Sequence, residues 1–89
     1  MQNHMIILRV KRSNGTILAH HETVRSDDTM RAIAAVTAML DTADQEQRDN
    51  PDPGEVRSVV RIVVDDDPAV TSERFHRAVY GVEADKQAH

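Results

Sequence analysis

The chain has 89 residues, a formal net charge of −4 and no cysteine, and only Phe75 and Tyr80 are aromatic. This length predicts one small domain, residues 1–89, with an aliphatic core and a thin stability margin. The lack of cysteine excludes a disulfide scaffold or thiolate metal site and favours a reducing compartment, so we expect the cytoplasm. No apolar run is long enough to span a membrane. The acidic balance argues against a general affinity for nucleic acid.

A β-hairpin is predicted near the start of the chain. Asn14 and Gly15 tolerate positive φ and stand between two runs of alternating apolar and polar residues, which is the strongest short-range hairpin signal in a sequence. Residues 5–13 are therefore predicted as a first strand and residues 16–25 as a second. Residues 1–4 are interpreted as a disordered extension.

The turn also decides which side chains share a face of the sheet. A two-residue turn pairs Leu8 with His21 and Arg9 with His20, on opposite faces. A bulged loop would shift this register by one residue and move the side chains of one strand to the other face. We take the two-residue turn as the expected register.

A first helix is predicted over residues 29–47. The short acceptor side chains of residues 26–28 cap its first N–H groups and place negative charge at the positive end of the helix dipole. Apolar residues at helical spacing form a broad stripe with two sides. We expect the second side to pack under a second helix or to contact a second copy of the chain. The stripe consists of Met30, Ala32, Ile33, Ala35, Val36, Met39, Leu40 and Ala43.

Two prolines and a glycine in residues 50–54 end this helix and predict a plain linker, with a lid over a functional site as the alternative. Residues 55–64 follow as a third strand. One face of this strand is expected to carry Val56, Val60, Ile62 and Val64, and the other Arg57, Val59, Arg61 and Val63.

A second helix is predicted to begin at Pro68 and to end near residue 80. Asp67 followed by Pro68 has the pattern of an N-cap with proline at the first helical position. A cap at residues 71–72 is the alternative and would start the helix one turn later. Residues 83–89 are interpreted as a frayed tail.

The order strand, strand, helix, strand, helix predicts an α+β fold of ββαβα type. A right-handed crossover through the first helix places the third strand beside the first. The expected sheet is therefore antiparallel and three-stranded, in the order 2-1-3, with two helices packed on one face. The face with Ile6, Leu8 and Val10 would lie under the helices, and the other face would be open.

The open face would combine basic and apolar side chains in an acidic protein, and exposed apolar surface usually marks an interface. Three alternatives remain for this face. The second helix or the tail covers it, the chain self-associates through the face or an edge strand, or an acidic or mixed protein partner docks there. The proposed contacts, with arginine and lysine for orientation and valine for affinity, are Arg9, Lys11, His20, Arg57, Val59, Arg61 and Val63.

Residues that carry chemistry have structural explanations in this chain. Clustered carboxylates at Asp65–Asp67 suit Mg²⁺ or Ca²⁺, but three consecutive residues of an extended chain cannot all point at one ion, and capping of the second helix accounts for them. His20 and His21 are neighbours on a strand, so their rings point to opposite faces, and His21 is expected to be half-buried.

The sequence therefore favours a small non-catalytic protein-binding module that occupies a partner's surface, as an adaptor, an accessory subunit or a small inhibitor of the kind mobile elements encode. No cofactor is expected, and the partner is a protein or a second copy of the chain, with neither nucleic acid nor a membrane involved. Two alternatives are a structural homodimer that pairs through a sheet face or edge strand, and a metal-dependent regulator or enzyme that uses Asp65–Asp67.

Overall fold

A computed structural model of the chain describes residues 2–81. The sheet is antiparallel with the strand order β2-β1-β3, so the predicted ββαβα arrangement with the first strand at the centre is confirmed. The elements are β1 (Asn3–Lys11), β2 (Ile17–Arg25), α1 (Thr29–Asp49), β3 (Val56–Val63) and α2 (Pro68–His76), and α2 continues into a short π-helix, Arg77–Gly81.

The first strand begins earlier than expected. Asn3 pairs with Arg25, and His4 pairs with Val24 on one side and Val63 on the other. Both residues are therefore part of β1, not of a disordered extension. The predicted frayed tail, residues 83–89, lies outside the described residues.

The hairpin turns through a loop of three residues, Ser13 to Gly15. The Arg12 amide donates to the Thr16 carbonyl at 2.9 Å, and the Gly15 amide donates to the Arg12 carbonyl at 3.0 Å. Gly15 has a φ of 91°, the left-handed conformation that glycine adopts without a steric penalty. Asn14 keeps a negative φ and accepts a hydrogen bond from the Thr16 amide through Oδ1, so this is a turn with a glycine bulge instead of a two-residue turn.

The predicted register between the first two strands is consequently wrong by one residue. Leu8 lies opposite His20, and Ile7 lies opposite His21. The side-chain period of a strand is two, so this shift exchanges the faces of every residue in β2 relative to β1. His20 therefore faces the side of the sheet expected for His21.

The two helices lie on opposite faces of the sheet, so the prediction that both pack on one face is wrong. α1 packs against the face that carries Leu8, which we term the α1 face. On the other face, the α2 face, the ring of Phe75 lies 5.2 Å from that of His21, and Ile7 and Val79 are fully buried. The reason lies in β1, whose residues 6–10 are all buried, so both faces of the central strand need cover.

Both helices begin where the sequence predicts. Asp28 accepts a hydrogen bond from the Arg31 amide at 2.9 Å, and Asp67 accepts one from the Ala69 amide at 3.0 Å. The alternative cap is not used, since the Thr71 hydroxyl instead accepts from the Asp65 amide. These side chains satisfy amides that have no partner within the helix.

α1 packs on the sheet through its small residues and leaves larger apolar ones exposed. Met30 and Ile33 are 77% and 57% exposed, although both belong to the apolar stripe that the sequence predicts. The short alanine side chains let the helix lie close to the sheet, while Val36 and Leu40 pack at the margin of the core. The buried side consists of Ala32, Ala35, Met39 and Ala43.

Candidate functional site

The residues predicted to form one binding surface are divided between the two faces of the sheet. β3 pairs with β1 so that Val59 lies opposite Leu8, which puts the basic side of β3 on the α1 face. The α2 face carries Arg9 and Lys11 of the predicted set. The α1 face carries His20, Arg57, Val59, Arg61 and Val63.

Arg9 takes part in packing on the α2 face. It is 9% exposed, and its Nε donates to the Val79 carbonyl at 2.6 Å. A guanidinium in this position holds the π-helix against the sheet. Lys11, at the end of β1, is half-buried and lies opposite Ile17 and Val56.

His20 lies under the edge of α1. Its Nε2 is 3.5 Å from Glu46 Oε2, and the geometry does not form a hydrogen bond. The ring is only partly exposed because α1 passes over it. His20 therefore belongs to the contact between α1 and β2.

Arg57 is held by carboxylates of its own chain. Its Nη1 donates to Asp44 at 2.7 Å, and its Nε donates to Glu55 at 2.9 Å. These hydrogen bonds, that to Asp44 foremost, raise the pKa of Arg57 above its ordinary value. The second oxygen of Glu55 accepts from Arg12 at 3.2 Å, and Arg12 also pairs with Asp52.

These five side chains form one ion-pair chain, which we define as Arg12, Asp44, Asp52, Glu55 and Arg57. Three acids against two bases give it a net charge of −1. Glu55 is almost fully buried within it, whereas the Asp44 carboxylate is half-exposed. An approaching cation would therefore find its counter-charge at Asp44.

Beside the ion-pair chain lies a partly exposed surface formed by β3 and one side of α1. Val59 is 53% exposed, Arg61 is exposed and Val63 is half-buried. Ile33, Leu40 and Asp44 follow one side of α1 at spacings of seven and four residues, and the bond from Asp44 to Arg57 shows that this side faces β3. We define the β3 flank as Ile33, Leu40, Val59, Arg61 and Val63.

β3 is also an open edge of the sheet in the described part of the chain. The Val64 amide donates to the Asn3 carbonyl, and partners alternate along an antiparallel ladder. The main-chain groups of Arg57, Val59 and Arg61 therefore point away from β1. At the end of the strand Arg74 donates to the Val63 carbonyl at 3.1 Å, which leaves residues 57–61 as the open part of the edge.

Two of the three aspartates at residues 65–67 bond to the local backbone. Asp65 accepts from the Asp67 amide at 2.9 Å and lies 3.9 Å from an Arg74 nitrogen, while Asp67 caps α2. Within residues 2–81, no group of three or more His, Asp or Glu side chains is placed to hold a metal ion.

The α2 face has a shallow recess of about 420 Å³ that the sequence did not indicate. At its wall the Thr71 hydroxyl bonds to the Asp65 backbone, and the His21 ring packs against Phe75. The recess is mainly apolar. It is lined by Met5, His21, Val64, Asp65, Pro68, Thr71, Ser72 and Phe75.

The loop before β3 is tied to the hairpin instead of being a plain linker. Asp52 accepts hydrogen bonds from the amide and hydroxyl of Ser13 at 2.7 and 2.8 Å and from the Gly54 amide at 2.9 Å. The Ser13 bonds, first that from the backbone, lower the pKa of Asp52 below 3.8, and the Arg12 charge adds to this. Ser13 and Asp52 are far apart in sequence, so no local pattern indicates the contact.

We expect protonation of the Asp52 carboxylate to lower the free energy of unfolding in acid. Because the pKa of Asp52 is lower in the folded state, the unfolded chain takes up the proton first as the pH falls. The stabilisation is complete above the unfolded value, roughly pH 4, and disappears as the pH falls through the folded value. Urea unfolding between pH 7 and pH 2.5 measures this loss.

The Asp52→Asn variant is the control for this prediction. It should be less stable than the original chain at pH 7 and should lose less stability on acidification. An identical decline in both proteins would show that Asp52 does not contribute to the acid response.

Comparisons with protein-family models, curated proteins and solved structures gave no match for this chain. Among the described residues, no helix is both long enough and apolar enough to cross a membrane.

Proposed function

We propose that this protein is a non-catalytic protein-binding module that contacts its partner through the β3 flank and the open edge of β3. The observation that supports this proposal most directly is the exposed Val59 on an open edge strand. Exposed apolar surface and unpaired strand edges are both features that proteins use for association. A cysteine-free chain of this kind fits the reducing cytoplasm.

In this proposal the partner adds an extended segment to the sheet. The outward main-chain groups of residues 57–61 supply hydrogen bonds, as in strand addition to an exposed sheet edge. Val59 and Ile33 supply apolar contact, and Arg61 orients the partner by its charge. An adaptor, an accessory subunit or a small protein inhibitor acts in this way, because occupying a surface requires no chemical step.

The contacts proposed from sequence are revised accordingly. Val59, Arg61 and Val63 remain contacts, since they share the open side of β3. Arg57 positions Asp44 and takes part through that carboxylate. The burial of Arg9 by the π-helix and the position of His20 under α1 do not support a direct contact for either residue.

A photoreactive amino acid at position 59 tests this function in cells that express the protein naturally. We expect irradiation to give a discrete adduct at Val59 and none with the same probe at Ala69, which is exposed on α2 at the opposite face. An adduct of about twice the 10.0 kDa of the chain identifies a second copy, and another mass identifies a different protein. No adduct at position 59, or equal adducts at both positions, would overturn the proposal.

Charge reversal of Arg61 gives a second measurement. We expect Arg61→Glu to reduce the adduct at position 59 several-fold, because it opposes the charge that orients the partner. Arg48→Glu is the matched control, since Arg48 is exposed on α1 and bonds only to Gln45 among the described residues. Equal reductions by the two variants would show a general effect of charge.

A further inference from the structure

We infer that the partner at this edge is a second copy of the chain, joined by antiparallel pairing of the two β3 strands about a two-fold axis at Val59. This inference rests on the proposed function of the β3 edge as a binding surface. The pairing would form one continuous sheet of six strands, three from each copy. A two-fold contact of this kind uses the same patch on both copies and closes on itself.

The unpaired backbone groups at the edge of β3 determine the register in which the two β3 strands can pair. Pairing about Val59 places Val59 opposite its own copy and Arg61 opposite Arg57, so the outward groups of residues 57, 59 and 61 are all used. Pairing about residue 60 or 61 requires an incoming amide at the Val63 carbonyl, where it would compete with the Arg74 guanidinium that already donates there. Pairing about residue 58 requires the Glu55 amide, which donates to Asp52.

Charge complementarity favours the same register. Arg61 is exposed, and in the described part of the chain it makes no ion pair or side-chain hydrogen bond. In this register the Arg61 of one copy lies opposite Arg57 of the other, whose guanidinium is already held by Asp44 and Glu55. The incoming Arg61 therefore meets the half-exposed Asp44 carboxylate and balances the net charge of −1 on the ion-pair chain. Symmetry supplies this contact twice.

The other edge of the sheet is less suited to this pairing. The exposed residues of β2 are polar or charged: His21, Thr23 and Arg25. β3 instead places Val59 at its centre, and the two copies of this valine would shield each other from water on the axis. A small domain with an aliphatic core gains stability from such burial.

A cysteine at position 59 tests the geometry directly, because the chain has no cysteine of its own. Residues directly opposite in a hydrogen-bonded antiparallel pair have Cα atoms about 5.5 Å apart, which is within the range that a disulfide spans. We expect Val59→Cys to form a covalent dimer of about twice 10.0 kDa under mild oxidation. Reduction should return the original circular dichroism spectrum.

Val56→Cys is the matched control. Val56 is 61% exposed, similar to Val59, but in this register the two copies of residue 56 lie six residues apart along the paired strands, about 20 Å. We expect no crosslink at this position. A crosslink at position 56 and none at position 59 would overturn the proposed pairing.

Light scattering on a sizing column measures the unmodified association. We expect a dimer at low salt, an at least tenfold weaker dimer for Arg61→Glu, and a dimer equal to that of the original chain for Arg48→Glu. A monomeric original chain with no crosslink at position 59 would overturn self-pairing. In that case a photo-adduct of Val59 with a different protein would still support the binding function, so the two proposals fail separately.

Discussion

Replacing Ile7 with alanine is expected to lower the free energy of unfolding by about 3 kcal/mol, typical of truncating a fully buried isoleucine. Ile7 is 0% exposed and lies on the α2 face of the central strand, between His21 and Val60 on the neighbouring strands. The buried Val79 of the π-helix lies on the same face. The shorter side chain would leave a cavity that this two-sided packing cannot close.

Equilibrium unfolding in urea at a fixed protein concentration measures the effect of Ile7→Ala, and Val56→Ala is the control. Val56 lies on the same face but is mostly exposed, so its truncation should change the free energy of unfolding by less than about 0.5 kcal/mol. A loss below about 1 kcal/mol for Ile7→Ala would mean that α2 does not cover this face.

Replacing Arg12 with alanine is expected to lower the free energy of unfolding by a similar amount, about 3 kcal/mol, because buried carboxylates would lose their counter-charge. Arg12 is 9% exposed. It donates to Glu55 at 3.2 Å, to Gln47 at 3.4 Å and to the Asn50 carbonyl. One guanidinium thus joins the hairpin, the end of α1 and the loop before β3.

Two variants distinguish the hydrogen bonds of the Arg12 guanidinium from the effect of its charge alone. Arg12→Lys keeps the charge but cannot reach three partners at once, so we expect an intermediate loss in urea unfolding. Arg48→Ala removes an exposed arginine and should be nearly neutral. If Arg12→Ala and Arg48→Ala were equally mild, the ion-pair chain would not hold these segments together.

The consequences of Arg12→Ala should extend to the proposed interface. Glu55 bonds to both Arg12 and Arg57, and Arg57 positions Asp44. Loss of Arg12 would therefore disturb the carboxylate that faces an incoming Arg61. The proposed dimer should weaken at protein concentrations and temperatures where the variant is still folded.

Local signals explain the parts of the fold that were predictable. Asp28 and Asp67 cap helices that begin where the side-chain pattern indicates, and Asn14 and Gly15 mark a turn between two alternating strands. The sheet order follows from the handedness of the crossover through α1. Each of these features depends on a few neighbouring residues or on a general rule of chain geometry.

The predicted binding surface was wrong in part because the hairpin loop is one residue longer than expected. Asn14 has negative φ and bonds to the Thr16 amide, so the loop gains one residue and β2 exchanges its faces relative to β1. The face of β3 was assigned incorrectly for a different reason. Its pairing with β1 places Val59 opposite Leu8. No local sequence pattern indicates the register of two strands that are so far apart in the chain.

The sequence by itself determined the order of the main strands and helices, the caps of the helices, the strand order and the residues that share a face within β3. Short-range periodicity and chain handedness govern these features. Only the tertiary structure decided that the helices cover opposite faces, that Arg9 is buried, that Arg57 is held by Asp44, and that Val59 and Arg61 stay exposed at an open edge. These outcomes depend on contacts between segments tens of residues apart, where packing on both sides of β1 outweighs local pattern.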